Sequence, residues 1–119
     1  MTWYQAKQNK FKNIRQTYNG YSYASKKESA YATELDLRVR AKDIKKWERQ
    51  AKIELEAYGK HICKYYCDFL IYHNDGTKEY VEIKSYITMT EVWRLKWKMS
   101  EAKFAKDIAK DKIKMTVLT

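Results

Sequence analysis

"HNDGTKEYVEIK", residues 73–84, decides how this chain folds. "NDG" flanked by β-prone residues is a hairpin signal, and its length sets the pairing on either side. If Asn74, Asp75 and Gly76 form a three-residue loop with Gly76 in the left-handed conformation, His73 pairs with Thr77. Asp68 then lies across from Glu82, and Tyr66 across from Lys84. A two-residue loop would set Asp68 opposite Ile83 instead, on the other face from Glu82. Glu82 and Lys84, two apart on a strand, share one face, while Val81 and Ile83 take the other. The third-position glycine favours the longer loop.

Outward from the hairpin, the chain divides readily. It has no proline and three glycines, Gly20, Gly59 and Gly76, each where a connection is wanted. "SKKESAYATELDLRVRA" starts with Ser25 and carries Glu28 three residues later, a capping-box pattern. Tyr31, Ala32, Leu35 and Val39 follow at helical spacing and define an inward stripe. "AKIELEA" alternates as a strand, and "KHICKYYCDFLIYHN" is rich in Tyr, Ile and Phe, which favour a second. "KEYVEIKSYI" is the returning strand. From Met89 to Lys110 the pattern is helical, with Val92, Trp93, Leu95, Trp97, Met99, Ala102, Phe104, Ile108 and Ala109 on a broad apolar side. "KIKMTVLT" reads as a last strand. The expected order is αβββαβ, an α/β or α+β fold with a mixed sheet between helices.

The 119 residues suit one domain, divided into an arm over 1–22 and a domain over 23–119. No apolar run approaches the ~20 residues of a membrane span, and no signal-peptide pattern is visible, so no membrane association is expected. Lys and Arg number 25 against 15 Asp and Glu, a formal charge of +10. That surplus favours a polyanionic partner. It begins in the arm, where Lys7, Lys10, Lys12 and Arg15, with Lys26 and Lys27 just beyond, alternate with Trp3, Tyr4, Phe11, Tyr18, Tyr21 and Tyr23. Cations mixed with aromatic faces suit nucleic acid. An arm that packs its aromatics on the core has the same composition. Cys63 and Cys67 on one strand would lie about 13 Å apart, beyond disulfide reach. With His61 and His73 they do not converge as zinc ligands, so buried free thiols are expected.

In the three-residue-loop register, the α-carbons of Asp68 and Glu82 stand roughly 5 Å apart on adjacent strands. Two close carboxylates without histidine suit a hard divalent cation, Mg²⁺ or in its place Mn²⁺. Lys84 stands at the edge of such a site, where it could orient water or balance phosphate charge. Glu28 shares the inward stripe of the first helix and is the third acid, and Glu34 is turned about 120° away. The competing explanation is a salt-bridged, solvated strand face. Like charges placed directly opposite weigh against it unless something binds between them.

An acid on a first helix, then Asp and Glu-x-Lys on a β-hairpin in an αβββαβ order, resembles the PD-(D/E)XK nuclease superfamily. The carrying residues are Glu28, Asp68 in "YYCDFLIY", and Glu82-Ile83-Lys84. "NGYSYASKKESAYATELDLR", "WERQAKIEL" and the helix after "VEIKS" resemble a small phage-encoded branch related to restriction endonucleases and Holliday-junction resolvases. The resemblance runs from about Gly20 onward. Cys67 stands where proline commonly precedes the Asp. The resemblance implies Mg²⁺-dependent hydrolysis of DNA, structure-specific on branched substrates, in the cytoplasm of a bacterial host. Asp68, Glu82 and the Ile83 backbone carbonyl would hold the metal, with Glu28 contributing directly or through water. Lys84 would position the attacking water, and Arg94 and Lys96 would meet backbone phosphate. It also implies a homodimer, for which the Trp93/Trp97 helix offers an interface if those rings do not simply fill the core. A non-catalytic nucleic-acid-binding module and a phage protein that binds a host factor are the alternatives.

Overall fold

The structure, a computed structural model, describes residues 16–18, 21–23 and 25–119, with side chains from residue 25 onward. Lys7, Lys10, Lys12 and Arg15 of the expected basic arm lie outside the described residues. A short antiparallel hairpin, β1 (Gln16–Tyr18) and β2 (Tyr21–Tyr23), lies beside the first helix and crosses the boundary drawn at 22/23.

The main body follows the expected order. Helix α1 (Lys26–Arg40) starts where the capping pattern places it: the Ser25 hydroxyl accepts the Glu28 N–H at 3.3 Å. Strands β3 (Lys46–Ala57), β4 (Lys60–Tyr72) and β5 (Lys78–Ile83) form an antiparallel meander. Helix α2 (Glu91–Lys103) and the short α3 (Ala105–Ala109) lead to β6 (Ile113–Leu118), which pairs parallel to β5. The sheet order β3-β4-β5-β6 makes a mixed four-stranded sheet with a helix layer on each face, an α+β fold. The single helix expected over Met89–Lys110 is broken at Phe104, whose ring instead stacks on Tyr80 of β5 with centroids 5.2 Å apart.

The hairpin loop is the three-residue one. His73 donates its N–H to the Thr77 carbonyl at 2.8 Å, and Gly76 takes a φ of +90°, which a side chain disfavours. Asp75 accepts the Thr77 N–H at 2.9 Å and holds the turn from within. The pairs Tyr72↔Lys78, Ile71↔Glu79, Leu70↔Tyr80 and Phe69↔Val81 follow from it. The next step of that register is Asp68 and Glu82. The ladder does not run on to pair Tyr66 with Lys84; Tyr66 pairs with Lys52 of β3.

Two cores lie on the two faces. Ala32 and Leu35 of α1 cover Phe69, Ile71 and Val81. Trp93 and Trp97 of α2 cover Ala51, Ile53, Leu55, Tyr65, Cys67, Leu70 and Tyr80. Burying each large side chain contributes about 1.5–3 kcal/mol. Along β4, Tyr65 and Cys67 face α2 while Phe69 and Ile71 face α1, although all four share one parity. The same reversal occurs on β3 between Trp47 and Ala51, where Gln50 adopts a φ of +50°. The pleat therefore inverts on both strands at one level, and the ladder skips from Arg49↔Phe69 to Ala51↔Cys67. Asp68 sits at the inversion.

The apolar side expected for the second helix is narrower than its sequence suggests. Trp93 and Trp97 are buried, so they fill the core rather than offer an interface, whereas Val92 and Leu95 are exposed. Both cysteines are free thiols on β4, and Cys67 is fully buried.

Candidate active site

The site forms where β4 and β5 stop pairing. Glu82 is 3 % exposed, an unusual burial for a carboxylate, and it is matched by donors. Its Oε1 accepts the Tyr65 hydroxyl at 2.6 Å and the Trp93 indole N–H at 3.0 Å. Its Oε2 accepts the Asp68 backbone N–H at 2.8 Å. Asp68 reciprocates, its Oδ2 accepting the Ile83 N–H at 2.9 Å. Two side-chain carboxylates thus occupy the step at which the backbone ladder ends.

Asp68 and Glu82 do not stand side by side on one face, as simple alternation would have it. Glu82 faces the α2 layer, and the pleat inversion turns Asp68 toward α1, where it shares a hydrogen bond with Glu28. Each carboxylate accepts a backbone N–H from the other strand, so both border the opening between the strands although they face different layers. Burial, then the charge of Glu82, then Glu28 push the Asp68 carboxyl far above the ordinary carboxylate range. Burial and Glu82 also raise the Tyr65 phenol and the Cys67 thiol, so Tyr65 keeps the proton that it donates.

Lys84 is delivered to the α2 side. Its Nζ is 4.0 Å from Glu82 Oε1 and 5.2 Å from the centroid of the Trp93 ring, so it rests on an aromatic face. The connection to α2 is short and tied: Ser85 donates its N–H to Thr88 Oγ1 at 2.9 Å, and Thr90 caps the helix by accepting the Trp93 N–H at 3.1 Å. That tight return places Trp93 directly over the strand it follows.

Glu28 is buried at the first turn of α1, as its place on the inward stripe predicts. Ile83 donates to Asp68, and because N–H and C=O of one strand residue point to the same neighbour, its carbonyl opens on the Asp68 side. No three His, Cys, Asp or Glu side chains among the described residues are arranged to enclose a metal ion. Glu28 therefore meets Asp68 as a hydrogen-bond partner rather than as a third side chain of a closed cage. His61 and His73 each pair with a glutamate instead, Glu54 and Glu79, both at 2.8 Å.

The basic residues are less concentrated. Lys26 and Lys27 are exposed in the first turn of α1, just ahead of Glu28. Lys27 lines a cleft of about 270 Å³ with Ala30, Tyr31, Glu34, Ile83 and Leu118, a lining that includes none of Glu28, Asp68, Glu82 and Lys84. Arg94 is exposed and its Nε donates to the Met89 carbonyl at 3.0 Å, which ties it to its own helix start. Lys96 is half-buried on α2. Tyr65 and Trp93 are the site residues that sequence reasoning missed. Trp93 read there as part of an apolar helix side and Tyr65 only as one tyrosine of a β-prone run, and only the return of α2 over β5 shows that their polar atoms meet Glu82.

The model of a protein family of unknown function, DUF1064, matches residues 7–117, and the chain belongs to that family. No curated protein and no solved structure matches it. Among the described residues, no helix is long and apolar enough to cross a membrane.

Proposed function

We propose that this DUF1064 protein is a divalent-metal-dependent nuclease that hydrolyses phosphodiester bonds in DNA, acting on branched substrates by backbone and shape recognition. The observation that carries the proposal is the convergence of Asp68 and Glu82 at the end of the β4–β5 ladder, with Lys84 at 4.0 Å from Glu82. The resemblance of Glu28, Asp68 and Glu82-Ile83-Lys84 to the PD-(D/E)XK pattern supports it, as does the formal charge of +10.

The donor set fits a hard cation of the Mg²⁺ or Mn²⁺ kind. All its members are oxygens, one or two carboxylates suffice when water and substrate phosphate complete the shell, and a cation would favour the ionised form of an Asp68 acid that is raised first by burial and then by the charge of Glu82. Asp68, Glu82 and the Ile83 carbonyl would hold it. When bound, the cation supplies Lewis-acid charge at the scissile phosphate. Glu82 is oriented by Tyr65 and Trp93 on Oε1 and by the Asp68 N–H on Oε2, which leaves Oε2 able to take a further partner. Lys84, 4.0 Å from Glu82 Oε1, carries three N–H donors and would hold a water or a phosphate oxygen beside that carboxylate. Glu28 positions Asp68 from the α1 side. Lys26 and Lys27 lie close enough in the chain to Glu28 to meet backbone phosphate flanking the site.

The test incubates the purified full chain with branched and linear DNA in Mg²⁺ or Mn²⁺. Cleavage is expected, with Glu82→Ala and Lys84→Ala each losing at least about 100-fold. Undiminished cleavage by both variants would refute the assignment. Binding that weakens steeply with salt, without cleavage under any metal, would identify a non-catalytic nucleic-acid module instead.

A further inference from the structure

We infer that Trp93 is a positioning residue that sets Glu82 and Lys84 relative to one another, through its indole N–H and its ring face respectively. The inference rests on the nuclease assignment for what Glu82 and Lys84 do. The geometry itself stands without it. The Trp93 Nε1–H lies 3.0 Å from Glu82 Oε1 and 2.9 Å from the Tyr65 hydroxyl, and Tyr65 in turn donates to the same Glu82 oxygen at 2.6 Å. The three groups close a ring of hydrogen bonds around one carboxylate oxygen. The π face of the same indole lies under the Lys84 ammonium, at 5.2 Å from the centroid.

Such a link has a physical purpose. Glu82 and Lys84 carry opposite charges 4.0 Å apart, and left alone they would collapse into a closer ion pair. A closed pair would draw Glu82 away from Asp68 and tie up the Lys84 donors. The indole N–H and the phenol fix the carboxylate, and the ring face gives the ammonium a second attraction that holds it back. Trp97, stacked on Trp93 with centroids 5.6 Å apart and edge-on to Tyr65 at 6.5 Å, is equally buried but puts only ring contacts into the group and no hydrogen bond onto Glu82, so Trp97→Phe keeps what it supplies. It serves as an internal control.

The test compares Trp93→Phe, Trp93→Leu and Trp97→Phe in the full chain. Trp93→Phe keeps a ring for Lys84 and removes the N–H. It should lower kcat about 10-fold at unchanged KM for DNA and raise the Mg²⁺ needed for half-maximal rate by a similar factor, the usual scale for losing an outer-shell partner. Trp93→Leu should fall further, and Trp97→Phe should stay within about 2-fold of wild type. Equal losses for Trp93→Phe and Trp97→Phe would show that Trp93 only fills the core, and would overturn the inference. So would a wild-type rate in Trp93→Phe. If the wild type cleaves no DNA with any metal, the nuclease assignment fails, and the Trp93 indole N–H resonance decides the inference separately. Assigned by its loss in Trp93→Phe, that resonance should move in metal-free Glu82→Gln and in metal-free Lys84→Met relative to the metal-free wild type. A resonance that stays in place overturns it.

Discussion

Replacing Asp68 by asparagine should make the metal-free protein more stable, and the gain should grow with pH. Asparagine has nearly the same shape, can still accept the Ile83 N–H and can donate to Glu28, losing only the long bond that Gln50 Nε2 donates to Asp68 Oδ1 at 3.5 Å. What it removes is a half-buried acid whose ionisation is opposed by desolvation, Glu82 and Glu28. The sign follows from the direction of that shift. The folded protein holds the proton more tightly than the unfolded chain, so wild-type stability is fullest below about pH 4, where both states are protonated. It declines as pH rises toward the folded-state value. Each decade by which folding weakens the acid costs about 1.4 kcal/mol once the pH exceeds it. Folding pushes this acid up to about 9, so at pH 8 the penalty is several kcal/mol, on the order of 10 °C or more in Tm for a domain of this size. Thermal unfolding of both proteins in EDTA at pH 4.5 and pH 8 measures it. Similar melting temperatures are expected at the lower pH and a clear Asp68→Asn advantage at the higher. Adding Mg²⁺ at pH 8 should raise the wild-type Tm and close the gap, since binding to the folded state alone stabilises it. An Asp68→Asn protein that is less stable at pH 8, or that gains from Mg²⁺ as much as wild type does, would refute the reasoning.

Two substitutions test the local architecture. Gly76→Ala meets no atom with its new Cβ, yet φ is +90°, so it should cost about 1 kcal/mol through backbone strain alone, measured by urea unfolding with an unchanged slope. Thr90→Ala removes the cap on the Trp93 N–H and should cost about 1 kcal/mol in the same assay; under the nuclease assignment it should also slow cleavage, because α2 carries Trp93 over Glu82.

How much of this was legible in the sequence depends on which physical signal was local. The "NDG" loop carried the β4–β5 register, because loop length and a left-handed glycine are decided within a few residues. The Ser25 cap and the stripe through Tyr31, Ala32 and Leu35 were enough to turn Glu28 inward. The pleat inversion was not legible. Tyr65, Cys67, Phe69 and Ile71 form an unbroken period-2 pattern, and nothing in that pattern marks the point where it changes face. The positive φ that accompanies the change belongs to Gln50, a residue type that gives no warning of it. The break at Phe104 was equally silent, lacking glycine or proline. Trp93 carried an apolar signal that was correct for its ring and said nothing of its nitrogen.

The inversion at Gln50 and Asp68 also divides what one strand can communicate. Tyr65 and Cys67 share their core with Trp97, whereas Phe69 and Ile71 share theirs with Leu35. Mutational epistasis along β4 should therefore split at Asp68. Truncations at 67 and 97 should couple, as should truncations at 69 and 35, while crossed pairs such as 67 with 35 should add to within about 0.5 kcal/mol. Four alternating residues that look like one lineage of substitutions would then evolve as two, each answering to its own helix, with the acid between them belonging to both.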